Sequence, residues 1–216
     1  MLEYVTGLST FFALVSTGLL VAAAGKRRSY ALPLLALSML LYALGAGAEF
    51  LAALRGGWGW LHYKFYYAIS PIQVALLGLG VVSLYIYRWM SGRGLQLYLA
   101  YTAIVSLLLL AAVASAELDT EALSDVFVGG RAMPDDVRRF SPLLTVPSGL
   151  FSIVVPLYYY ARKEKRLHAL LIPLASIVMM FAGGAIRRGQ VDVFYLLEFV
   201  ASVILTAAFY QVYREA

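Results

Sequence analysis

Seven times along its length the chain runs for roughly 20 residues with almost no charge, and this recurrence decides what it can fold into. A helix rises about 1.5 Å per residue, so about 20 apolar residues cross a hydrocarbon layer of about 30 Å. Inside that layer every backbone N–H and C=O needs a partner within the protein, and a helix supplies one to each. Only 13% of the 216 residues are charged and 62% are hydrophobic. Soluble domains carry about 25% charge, and a chain this apolar could not clothe a water-facing surface. The expected fold is all-α: a polytopic bundle of seven transmembrane helices forming one domain over 1–216, multi-pass in the cell membrane. The first run continues to Ala24 behind Glu3 with no basic segment before it, so it reads as a mature span and not as a cleaved signal peptide.

The runs cover about 5–24, 31–53, 65–87, 95–115, 143–160, 168–185 and 193–213. Between the second and third, Arg55-Gly56-Gly57-Trp58-Gly59-Trp60 interrupts the pattern with glycines and with tryptophans suited to a membrane interface. Alternate connections differ in charge. One set holds ten Lys and Arg against two acids, Glu164 and Glu215; the other holds seven against eight acids. The excess of basic residues marks the cytoplasmic side, which puts the N-terminus outside and the C-terminus inside. The net charge of +5 is thereby a topology signal, and nucleic acid is not an expected partner.

The one long connection, 116–142, falls on the outer side and is expected to be partly ordered. Asp125–Val128 followed by Gly129-Gly130 suits a short hairpin. Pro134-Asp135-Asp136 suits a helix start, because proline and acids favour the first turn. A lid over the outer face and a plain solvated connection are both open. A three-plus-three repeat about the fourth span is not supported, since Pro71 and Pro147 do not fall at matching places.

Charge inside a span is costly, about 2.5–3.5 kcal/mol at its centre. Only Glu49 and Glu198 among the acids lie within the runs. Given the orientation above, Glu49 sits about one turn, and Glu198 one to two turns, below the outer end of its helix. Tyr66, Tyr67, Ser70, Gln73, Thr145, Ser148 and Tyr195 map to the same layer. Tyr66, Ser70 and Gln73 share a helix face by their spacing. An outward-facing polar pocket is the expected site, with Glu49, Tyr66, Tyr67, Gln73, Ser148 and Glu198 as its binding residues. The competing reading is structural: Arg187, Arg188, Arg55 or Lys64 could pair with the acids. Glycines at 45 and 47, 78 and 80, and 183 and 184 are expected where helices approach closely.

Several chemistries fail for want of residues. There is no cysteine, which removes thiolate nucleophiles, disulfides and Cys-ligated metals. His62 and His168 stand near span ends on opposite sides, so neither bis-histidine haem ligation nor a multi-histidine zinc site is supported. The seventh run has no lysine for a retinal Schiff base. No metal, cofactor or catalytic residue is expected. The stretch Phe65 to Pro71 with Ala75 to Gly80, ending at Tyr85, resembles a recurring segment of uncharacterised prokaryotic seven-helix membrane proteins. The resemblance extends to Pro147-Ser148-Gly149 and Gly183-Gly184. It implies the seven-helix architecture and carries no activity.

The functional expectation is a non-enzymatic protein that binds, senses or transports a small solute or proton, in the manner of a transporter or receptor. A lipid environment is assumed, and a membrane-protein partner is possible. One alternative is an accessory or assembly subunit of a larger membrane complex. Another is an intramembrane enzyme using the two carboxylates as acid and base, about 5–9 Å apart.

Overall fold

The computed structural model describes residues 2–86, 92–124 and 130–216. It is all-α, with seven helices long and apolar enough to cross a membrane. Four long helices precede the outer connection: α1 (Leu2–Lys26), α2 (Ala31–Arg55), α3 (Trp60–Ile86) and α4 (Gly92–Ser115). A short α5 (Asp135–Arg138) begins directly after Pro134, where the acids favour a helix start. Then follow α6 (Phe140–Arg162), α7 (His168–Arg187) and α8 (Val191–Arg214). The expected hairpin at 125–129 lies outside the described residues.

Neighbouring contacts run α1–α2, α2–α3, α3–α6, α6–α7, α7–α8 and back from α8 to α1, so six helices close a ring. The remaining span, α4, stands outside it against α3 and α6. The buried residues of each helix explain its seat. On α1 they are Thr6, Ser9, Ala13, Ser16, Leu20 and Ala23, recurring every three or four positions, and five of the six are small or short polar residues. Such a stripe lets two backbones come close where dispersion and hydrogen bonds must hold helices together in lipid. Ser16 shares a 2.8 Å hydrogen bond with Thr206 of α8, and the Thr206 hydroxyl also lies 3.1 Å from the Phe12 carbonyl. On α4 the buried stripe is narrower, Thr102, Val105, Leu109 and Val113. Leu97, Ile104, Leu107 and Leu108 remain exposed, as suits a lipid-facing helix.

Two glycines of α3 set the distance to its neighbours. A Cβ on Gly80 would stand 2.6 Å from the Leu35 side chain of α2. One on Gly78 would meet Ser148 of α6 at 2.7 Å and the Tyr98 hydroxyl of α4 at 2.9 Å. Gly183 and Gly184 behave otherwise: nothing lies within 4 Å of a Cβ on either, so they do not mediate close packing as expected.

The 116–139 connection is folded where described. Leu123, Ala132, Met133 and Val137 are buried in one cluster with Trp58, Tyr63 and Leu144. The Trp58 N–H donates to the Leu123 carbonyl and the Asp119 N–H to the Ala132 carbonyl, both at 3.0 Å. Gly57, at φ 159°, leaves room for this approach: its Cβ would lie 3.2 Å from the Leu123 oxygen. Trp58 is consequently 8% exposed and belongs to the core, against the interfacial place expected of it, whereas Trp60 is 62% exposed.

Candidate functional site

Glu49 is reached from the C-terminal part of α2 and Glu198 from the N-terminal part of α8, so both stand in the half of the bundle that contains the folded connection. The two helices are not ring neighbours; their side chains meet across the interior. Glu49 is 4% and Glu198 5% exposed. Their carboxyl groups lie within hydrogen-bonding reach of one another, and among the described residues no other group partners the buried Oε2 of either. The Tyr66 hydroxyl, from α3, donates to Glu49 Oε1 at 2.6 Å. The Tyr42 hydroxyl donates to the backbone carbonyl of Glu198 at 3.1 Å. Tyr195, one turn before Glu198, is within electrostatic reach of Tyr66. Trp58 closes this group toward the folded connection, its ring 4.9 Å from that of Tyr66.

No protein family profile matches the chain, and no curated protein is similar to it in sequence. The functional case therefore stands on the geometry alone.

Among the described residues neither carboxylate has a cationic partner. Arg55 and Arg188 are exposed. Lys64 donates to the Ala114 carbonyl at 2.9 Å and lies 6.0 Å from the Trp60 ring centroid. The Arg187 side chain lies outside the described residues. Two carboxylates side by side in a low-dielectric layer repel unless something positive stands between them. A proton or a small cationic group meets that need. Among the described residues no three His, Asp or Glu side chains converge as metal ligands would.

The other expected residues are placed as follows. Gln73 turns to α2, where its side-chain amide donates to Ser38 Oγ at 3.4 Å and its backbone carbonyl accepts from the Ser38 hydroxyl at 2.9 Å. Ser70 donates to the Tyr66 carbonyl one turn back in its own helix. Tyr67 packs its ring 6.1 Å from Tyr63, on the side of the folded connection. Ser148 shares a 2.7 Å hydrogen bond with Tyr98 and so ties α6 to α4. Of the six expected binding residues, contacts thus link Glu49, Tyr66 and Glu198 to one another, while Tyr67, Gln73 and Ser148 have partners elsewhere. Tyr42 was not among those expected. Its signal was in the spacing, since it stands two turns before Glu49 on the same helix face.

Proposed function

We propose that the protein is a membrane proton-handling protein, a carrier or sensor, whose binding site is the pair Glu49–Glu198 with Tyr42 and Tyr66. The single observation that carries this reading is the burial of two neighbouring carboxyl groups with no cation beside them among the described residues. An intramembrane acid in such surroundings is a functional candidate by default. A proton resting on the pair, or a small solute that delivers one, satisfies the two buried oxygens.

The positive-inside bias supports an orientation with the N-terminus outside, which sets the pair in the outer half of a cell membrane beneath Trp58. Exchange with the outer medium would then pass the folded connection. Carboxyl bands in infrared difference spectra, recorded between acidic and alkaline samples of the reconstituted protein, test the reading. Each of Glu49→Gln and Glu198→Gln is expected to remove or shift a buried-carboxyl band, and a pH-sensitive dye inside liposomes to report slower proton entry. Wild-type spectra with no such band, or spectra unchanged by both substitutions, reject the proposal.

A further inference from the structure

The opposite end of the bundle holds a cavity of about 1020 Å³. It lies where the α1–α2 turn, the ends of α3, α6 and α8 and the start of α7 come together. Five groups on its wall differ in what they are free to do. Arg166 is held by Glu164 and Glu215, which both accept hydrogen bonds from its guanidinium. Burial works against its charge, but those two acids outweigh it and keep the guanidinium above its ordinary pKa. His168 is fixed too: with Nε2–H donating to Glu215 at 3.2 Å, Nδ1 accepts from the Tyr85 hydroxyl at 2.5 Å. These groups form a satisfied frame.

Arg27, Arg28 and Ser83 are outside that frame. Neither arginine has an acidic partner among the described residues, and both heads are exposed on the wall. Ser83, one turn before the end of α3, is 5% exposed, and its buried Oγ has no hydrogen-bond partner among the described residues. Charge placed only to orient a span would stand on a solvated surface. Here it rings a concavity and is accompanied by a buried hydroxyl that lacks a partner.

We propose that this cavity binds a phosphate group, carried by a membrane lipid headgroup or by a free phosphate compound, with Arg27 and Arg28 neutralising it and Ser83 donating to one of its oxygens. Arginine suits a tetrahedral oxyanion because its fork donates two parallel bonds. The site is independent of the Glu49–Glu198 pair and stands or falls separately.

The test uses the full chain, stripped of lipid in an uncharged detergent. Native mass spectrometry follows adducts with dioleoyl phosphatidylglycerol and, for comparison, dioleoyl phosphatidylcholine, whose phosphate is offset by its own ammonium. A parallel arm follows the melting temperature with inorganic phosphate. A preferential phosphatidylglycerol adduct, weakened about tenfold or more in Arg27→Gln/Arg28→Gln and unchanged in Arg93→Gln, supports the lipid source. Stabilisation by inorganic phosphate with the same dependence, and no lipid preference, supports the free compound. Ser83→Ala, which removes one hydroxyl and disturbs no ion pair, is expected to weaken whichever binding is found. Neither arm responding, or binding equal in all variants, overturns the proposal.

Discussion

The Tyr66 hydroxyl donates to Glu49 Oε1, and this bond fixes what single substitutions there should do. Tyr66→Phe removes it and leaves Glu49 Oε1 buried without that donor, at a cost of about 1–3 kcal/mol. The melting temperature in detergent should fall, and it should fall less when Glu49→Gln is already present, because the uncompensated carboxyl is then gone. For the pair itself the sign reverses. Removing both carboxyls at once, as in Glu49→Gln/Glu198→Gln, should leave the protein at least as stable as before, since an uncompensated buried pair costs more than it contributes. A double variant that melts well below either single one would show that the carboxyls hold the ring together. Both acids were legible in the sequence because a carboxylate inside an apolar run stands out against its surroundings. Tyr42 was marked only by its spacing from Glu49, and the Glu198 carbonyl across the ring gives it its role. Tyr85, at the other end of the bundle, is buried against His168, a contact that its place in the sequence does not announce.

Helices were read well for a physical reason, since bilayer thickness imposes their length and polar ends mark their limits. The bounds differ where residues at the interface continue the helix. Thus α3 starts at Trp60, five residues before the apolar run, and Lys64 on that added turn reaches the Ala114 carbonyl of α4. Which face of a helix meets a neighbour is a different matter, and the glycines show it. At Gly78 and Gly80 an added methyl collides with an adjacent helix. Gly78→Ala and Gly80→Ala should each cost about 1–3 kcal/mol by overpacking. Gly183→Ala, facing open space within a helix, should be neutral or stabilise by about 0.5–1 kcal/mol. Unfolding curves of the three variants, measured side by side, check the contrast. An equal gain at all three positions would mean that helix propensity outweighs packing. The identity of the residue is the same in each case, so no reading of the sequence could have separated them.

At the scale of the molecule, the ring order was out of reach of the sequence. The fourth run is as apolar as the others, and nothing in it announces that α4 stands aside while α3 packs on α6. The cavity at the C-terminal end was hidden for a related reason, because its arginines belong to the same set that signals orientation. That orientation is open to direct measurement, helped by the absence of native cysteine. Glu121→Cys should react with an impermeant maleimide added outside intact cells, and Lys165→Cys only after the membrane is opened. The reverse pattern would invert the assignment of both ends. The folded connection has its own test. Leu123→Ala takes a buried side chain from beneath Trp58, and the Trp58 and Asp119 amides should then exchange their hydrogens faster while those of α1 do not. One consequence concerns assembly. The Tyr42–Glu198 bond joins residues 156 positions apart, and no arrangement of α2 and α3 alone can supply it. During biosynthesis Glu49 is made long before its counterpart exists. Only when α8 settles against α1 does the circle shut and the acidic couple come into being, so the site reports on the completion of folding itself.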